Sequence, residues 1–204
     1  MREAEISGYG QPDAVLADAY AVEDDVLARA RATAEAAGVR AVSPGSGAAL
    51  RLLAGAVGAR AVVEIGTGTG VSGLSLLRGM RSDGVLTTVD VQPGLQRAAR
   101  EVFVLGGFAG SRARLIPGYA LEVLPRLADG QYDVVFCDAD PVESLDYLAE
   151  SLRLLRPGGL VCFEAALTAE TPEARDTVRA VREHPNLTAA LLPVGDGLLC
   201  ALKR

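Results

Sequence analysis

The sequence contains no Trp, one His and one Lys among its 204 residues. That Lys, Lys203, stands beside the C-terminus, so the chemistry cannot draw on a lysine from the interior of the chain. The lone histidine lies in His184-Pro185-Asn186, just after a helical pattern, and reads as a surface turn residue. Cysteine is scarce too. Cys137, Cys162 and Cys200 are odd in number and all fall in predicted strands, which indicates reduced core thiols, not disulfides. No apolar run reaches the roughly 20 residues that cross a bilayer. Met1-Arg2-Glu3-Ala4-Glu5 lacks the charged-then-apolar order of a signal peptide, so the expected location is cytoplasmic, with no membrane partner. An excess of positive charge is also missing. A net charge of −6 argues against a general nucleic-acid binder, which would present a basic face.

What is present is one stretch around which the rest is arranged: Val62-Val63-Glu64-Ile65-Gly66-Thr67-Gly68-Thr69-Gly70. A short β-branched run reads as a buried parallel strand, and alternating glycines let the backbone turn tightly and approach a ligand. A helical pattern follows over residues 71–81 and would direct unpaired N–H groups at whatever occupies the turn. The spacing is Gly-x-Gly-x-Gly, not the Gly-x-Gly-x-x-Gly of phosphate-binding loops, and no Lys follows it. A nucleoside-like ligand that need not carry a phosphate fits this best.

The length suits one domain, 1–204, with residues 1–41 as an N-terminal helical appendage. The first eleven residues look loosely structured. From Pro12 to about Ala37, apolar positions at helical spacing predict one long helix or two short ones, placed either to cover a ligand or to make a homodimer contact. Ser43-Pro44 supplies an N-cap and a first-turn proline for a helix reaching about Val57.

Alternating units follow: strand 60–65, helix 71–81, strand 84–90, helix 94–105, strand 113–117, helix 120–127, strand 132–138, helix 144–155, strand 159–163 and helix 172–183. Short connections between them predict an α/β fold, a mostly parallel sheet with helices on both faces. The last two strands, 187–192 and 197–202, are separated only by Pro193-Val194-Gly195-Asp196, too short for a crossover helix, so they must form an antiparallel C-terminal hairpin.

Ligands of open α/β sheets bind outside the carboxyl ends of the strands. Four acids are expected on that rim: Glu64, Asp90, Asp138 and Glu164. Asp90 lies about 20 residues after Gly70, the spacing at which an acid accepts hydrogen bonds from a ribose diol, and Val91 and Gln92 would line an adenine pocket.

Five blocks in order, Val63–Gly70, Thr88-Val89-Asp90, the run from Tyr132 through Asp138-Ala139-Asp140, Leu154-Leu155-Arg156-Pro157-Gly158-Gly159 and Leu192-Pro193-Val194-Gly195-Asp196-Gly197, resemble the S-adenosylmethionine-dependent O-methyltransferases similar to catechol and caffeoyl-CoA O-methyltransferases. The resemblance runs from about Val42 to the C-terminus. It implies a class I methyltransferase (Rossmann-like) sheet and S-adenosylmethionine as cofactor. Glu64, Gly66, Thr67, Gly68 and Ser72 would hold its methionine part with Val42, Ser43 and Asp138 nearby, and Asp90 would take the ribose. The family's Gly-Asp-Ala turn is replaced here by Gly118-Tyr119-Ala120, so adenine would be met there by backbone groups or the Tyr ring.

The departures bear on chemistry. Pro141 stands where the family has a catalytic Lys, and Glu164-Ala165 replaces the metal-binding Asp-Asn pair. A hard cation wants several oxygen ligands, and the remaining donors would be Asp138, Asp140 and Glu164; the expectation is that no metal is held. The stretch 165–173 also looks short for the family's substrate-side loop. Methyl transfer survives these losses in principle, because a sulfonium donor is already activated and needs mainly in-line positioning. Asp138 or Glu164 would act as general base if burial raised its pKa toward neutrality, with a small hydroxylated molecule, such as a phenol, as acceptor. Two other readings stand beside this one: a non-catalytic or regulatory S-adenosylmethionine-binding member, and an NAD-dependent oxidoreductase.

Overall fold

The computed structural model describes residues 13–168 and 171–204. The loose structure expected of the first eleven residues therefore lies outside the described residues, as do Ala169 and Glu170 of the 165–173 loop.

The N-terminal pattern resolves into two helices, α1 (Asp13–Tyr20) and α2 (Asp25–Ala36). Asp24 separates them by capping α2, its carboxylate accepting from Leu27 N. Ser43 caps α3 (Pro44–Ala56) in the same way. Strand β1 (Ala61–Ile65) leads into α4 (Val71–Gly79), β2 (Val85–Asp90) into α5 (Pro93–Leu105), and β3 (Ala113–Pro117) into the single turn α6 (Ala120–Val123). Pro125 ends that helix four residues earlier than the sequence pattern suggests, and Leu124–Arg126 continues as a 3₁₀ turn. Strand β4 (Tyr132–Cys137), helix α7 (Ser144–Leu154), strand β5 (Leu155–Phe163), helix α8 (Pro172–Glu183) and the strands β6 (Leu187–Leu192) and β7 (Leu198–Lys203) complete the chain.

The seven strands lie in the order β3-β2-β1-β4-β5-β7-β6, parallel from β3 to β5, with β7 antiparallel to both β5 and β6. Strand alternation divides the core. Val62, Leu86, Val134 and Cys162 face α2, α3, α4 and α5, whereas Val63, Val89, Val135 and Val161 face α6, α7 and α8. On the first face α3 packs tightly on α4, where a side chain at Gly79 would collide with the carbonyl oxygen of Arg51.

One boundary differs from the sequence reading for an identifiable reason. Strand β5 begins at Leu155, not Gly159, because Leu155 pairs with Tyr132 before a register shift, and Arg156 donates to Asp133 Oδ1 at 2.7 Å. The other oxygen of Asp133 accepts from Arg60 N (2.7 Å) and Ala61 N (2.9 Å), joining the entries of β1, β4 and β5. The interior cysteines Cys137, Cys162 and Cys200 are buried thiols on β4, β5 and β7. Lys203 spends its ammonium on the carbonyls of Leu152 and Leu155, both at 2.7 Å. No helix among the described residues is long and apolar enough to cross a membrane.

Partial burial pushes the Asp133 carboxyl up, but the Ala61 and Arg60 amides and the Arg156 guanidinium outweigh it and hold the pKa below the ordinary value. A depressed folded-state pKa contributes stability above the unfolded pKa and loses it as pH falls through the folded one. Asp133→Asn should therefore cost about 1–3 kcal/mol at pH 7. Urea unfolding should show that difference shrinking below about pH 4, where the unfolded carboxyl takes its proton.

Candidate active site

The turn after β1 is built on positive φ angles at Gly66 (94°), Gly68 (49°) and Gly70 (91°). At Gly66 a Cβ would strike the carbonyl oxygen of Asp138, so only glycine lets the turn pass beneath the end of β4. Asp90, at the end of β2, fixes the turn: its Oδ2 accepts from Thr67 N (3.0 Å) and Gly68 N (2.9 Å), and its Oδ1 accepts from Gln92 N (2.8 Å). Thr69 Oγ1 donates to Ala30 O (2.9 Å), tying the turn to α2.

Beside this turn is a cavity of about 360 Å³. Its lining includes Val42, Gly66, Thr67, Gly68, Ser72, Asp90, Val91, Gln92, Gly118, Tyr119, Ala120 and Asp138, so twelve of the fourteen residues expected at a cofactor site share one space. Two do not line it. Ser43 instead caps α3 and donates to Asp18 Oδ1 (2.7 Å), which also accepts from Gly45 N and so docks α1 on α3.

Glu64 is a correction to the rim of four acids. It is fully buried, because its place in β1 puts it on the same sheet face as Val62, under α4. There Ser72 Oγ donates to Oε1 (2.7 Å) and Thr88 Oγ1 to Oε2 (2.6 Å). Desolvation raises its pKa to about 8 against the pull of those two hydroxyls, with the Asp138 and Asp90 charges adding to the rise. Its visible role is to orient Ser72, which does line the cavity.

A second cavity, of about 440 Å³, meets the first at Arg40, Asp138, Ala139 and Tyr147, which line both. Glu164 lines only the second. Its Oε1 accepts from Ser46 Oγ (2.9 Å), while Oε2 is buried with no hydrogen-bond partner among the described residues. Burial lifts the Glu164 pKa to about 7 and the Asp138 pKa to about 6; the nearby Arg40 charge opposes both rises. Asp138 lies one residue beyond β4, and its N–H donates to Ile65 O (2.8 Å). Ala165, next to Glu164, is the one non-glycine residue among those described with positive φ (59°).

Asp138, Asp140 and Glu164 are not gathered into one cluster among the described residues. Asp140 Oδ1 accepts from Val142 N (3.0 Å) to cap the short 3₁₀ turn Pro141–Glu143, one Glu164 oxygen is held by Ser46, and Ala165 offers no side-chain donor. Among the described residues no group of three or more His, Cys, Asp or Glu is placed to hold a metal ion.

Sequence reasoning missed Arg40, Ser46 and Tyr147. Nothing in the sequence sets Arg40 apart from the other arginines, although its ion pair with Asp196 brings the α2–α3 linker to the β6–β7 turn beside both cavities. The linker that carries it, with Ala34 of α2, shows that the N-terminal appendage helps to wall the cofactor-side cavity. His184 is a turn residue as expected, its Nδ1 accepting from Asn186 N (3.2 Å).

A family model described as O-methyltransferase matches residues 18–204. The chain belongs to the O-methyltransferase family. Among its O-methyltransferase relatives, a Mycobacterium tuberculosis protein named a probable O-methyltransferase is 52% identical over 163 residues, 74% of this chain and 73% of that one. The solved O-methyltransferase TomG of Streptomyces achromogenes, in complex with SAM, superposes with a TM-score of 0.82 at 27% identity, covering 100% of this chain and 99% of its own. An O-methyltransferase of Bacillus cereus in complex with SAH gives a TM-score of 0.80 at 25% identity over 93% and 96% of the two chains. The strand order and antiparallel ending are those of the class I methyltransferase sheet, and this O-methyltransferase is a family enzyme with no support for the oxidoreductase alternative.

Because Asp90 supplies the only side-chain acceptor for the Thr67 and Gly68 amides among the described residues, Asp90→Asn should loosen the turn selectively. Amide hydrogen exchange at Thr67 and Gly68 should speed up by about 10- to 100-fold while exchange in β5 stays unchanged.

Proposed function

We propose that this enzyme transfers the methyl group of S-adenosylmethionine to a hydroxyl of a small acceptor without a divalent cation. The observation that carries the reading is the pair of adjoining cavities, one over the glycine turn and Asp90, the other holding Glu164, with Asp138 between them. When bound, S-adenosylmethionine supplies a methyl group already activated on a sulfonium.

The residues around the first cavity suit that molecule. Asp90 Oδ1 accepts one backbone bond and retains lone-pair capacity for ribose hydroxyls. Leu95, Val91 and Tyr119 offer apolar surface for a purine, and the backbone at Gly118 and Ala120 offers it polar groups. Space is open beside Gly68, where an added Cβ would meet no atom within 4 Å. Gly66, Ser72 and Asp138 border the end that would take the methionine part, whose ammonium would offset the carboxylate charge collected there. Glu64 serves this arrangement through Ser72.

On the acceptor side, Asp138 and Glu164 are the groups able to take a proton, and a base with a pKa near the working pH is the effective kind. The enzyme works in the cytoplasm, a reading supported by its three buried free thiols. The exposed apolar side chains Tyr20, Val22 and Leu52, on and beside α1 and α3, support a homodimer. The regulatory alternative has no comparable observation in its favour, since Glu164 and the second cavity remain.

Calorimetric titration with S-adenosylhomocysteine should show one site per chain, with affinity unchanged by EDTA or Mg²⁺; absence of binding would remove the proposal. In turnover assays, a carboxylate base sets the expected pH profile. The rate should therefore be low below pH 6, rise as the groups with pKa values of about 6 and about 7 lose their protons, and level off above.

A further inference from the structure

We infer that Arg40 is a positioning residue that couples the two cavities: occupancy of the first by the methyl donor steadies one wall of the second through the Arg40–Asp196 ion pair. The inference rests on the methyl-transfer reading above, which puts the donor in the first cavity, and adds to it a route between the two halves of the site.

The route is contiguous. Val39, Arg40, Ala41 and Val42, in the linker between α2 and α3, line the first cavity in succession. Both ends of this stretch are anchored, by Val39 N donating to Ala34 O (2.9 Å) and by Arg31 Nη1 donating to Val42 O (2.8 Å). Arg40, between the anchors, reaches the second cavity as well and pairs with Asp196 in the β6–β7 turn. Asp196 itself lines neither cavity.

The turn passes the contact on. The carbonyl oxygens of Gly197 and Asp196 accept from Ala166 N (2.8 Å) and Leu167 N (2.9 Å). Ala165, Ala166 and Thr168 of that segment form a wall of the second cavity. A Cβ at Gly197 would lie 2.6 Å from Leu167 N, and one at Gly195 would lie 2.7 Å from Ser46 Oγ. The turn is thus wedged between the 165–168 segment and the first turn of α3, and a shift of the turn moves the wall with it.

The wall depends on such support. Ala165 holds φ at 59°, a left-handed conformation unfavourable to a residue with a Cβ, and such a conformation persists where the surroundings impose it. Leu167 is more than half exposed, so its side chain adds little burial. Ala166 packs on the core beneath, and the two hydrogen bonds to the β6–β7 turn tie the segment to the rest of the site.

The donor acts at the other end of this route. With the first cavity filled, the linker is packed on its cavity side, and fluctuations that carry Arg40 away from Asp196 are suppressed. The link is reciprocal, so whatever steadies the wall favours donor binding by the same factor. An ion pair whose side chains are 69% and 36% exposed is a modest link, and the coupling expected is about two- to fivefold.

The test follows amide hydrogen exchange by NMR with and without saturating S-adenosylhomocysteine. The ligand should slow exchange at Ala166 and Leu167 by about two- to fivefold in the wild-type protein. Asp196→Asn removes the charge at a position outside both cavities. It should still bind S-adenosylhomocysteine in a calorimetric titration, but ligand protection at Ala166 and Leu167 should fall below about 1.5-fold. Asp196→Glu, which keeps the charge, should retain the protection, and about 1 M NaCl should remove it from the wild-type protein. A merely structural role for the pair would change exchange at these amides equally with and without ligand. Equal ligand protection of Ala166 and Leu167 in wild type and Asp196→Asn would overturn the inference. So would the absence of protection in wild type while calorimetry shows S-adenosylhomocysteine bound. Failure to bind S-adenosylhomocysteine at all would instead remove the methyl-transfer reading.

Discussion

Two backbone amides of a glycine turn, Thr67 N and Gly68 N, converge on one carboxylate oxygen of Asp90. This contact joins the end of β2 to the loop between β1 and α4, and the site is arranged around it. Such a loop leaves N–H groups without strand or helix partners, and unpaired they would cost free energy or let the turn fluctuate. Asp90 satisfies two of them and at the same time places negative charge on the rim. The glycines make the contact geometrically available: at Gly66 the chain runs so close under Asp138 that a side chain has no room. The end of β4 is thereby held against the turn, and Asp138 comes to stand between the two cavities.

Four acids near the same strand ends have four environments, and their chemistry divides accordingly. Glu64 is buried beneath the turn and occupied by Ser72 and Thr88, a structural group whose pKa is pushed up to about 8. Asp90 is spent partly on backbone amides. Asp138 borders both spaces, and Glu164 borders one, with an oxygen left over. Arg40, paired with Asp196 and lining both cavities, is the positive charge that tempers Asp138 and Glu164. Pro141 and Ala165 stand where the resemblance would place a Lys and an Asn, and on the proposed reading a proton would be accepted by carboxylates whose burial has raised their proton affinity.

The sheet was legible from the sequence because its signals are local: β-branched runs, short alternating connections, and a Pro193–Asp196 link too brief for a crossover. Most cavity residues were legible for the same reason, since Gly66, Gly68, Asp90 and Asp138 sit at strand ends that the pattern marks. The misreadings arise where a distant partner decides. Strand β5 starts early because Arg156 finds Asp133 across the sheet, and α6 stops early because Pro125 denies it a further turn. Glu64 was placed on the rim although strand alternation, with Val63 and Ile65 on one face, would have sent its side chain under α4. Ser46 and Arg40 were not legible at all. Ser46 meets Glu164 across 118 positions of sequence, and Arg40 reaches the site only through a linker whose path the sequence does not display.

The central claim is that the Asp90-anchored turn holds the methyl donor and that the neighbouring carboxylates work without a metal. A crystal structure of the protein with S-adenosylhomocysteine, soaked in Mn²⁺ and measured for anomalous scattering, tests both halves together. The account predicts adenosine over Gly66 and Gly68 with its ribose hydroxyls on Asp90, and no anomalous peak at Asp138, Asp140 or Glu164. A nucleoside bound elsewhere, or a Mn²⁺ ion held by those carboxylates, would contradict it.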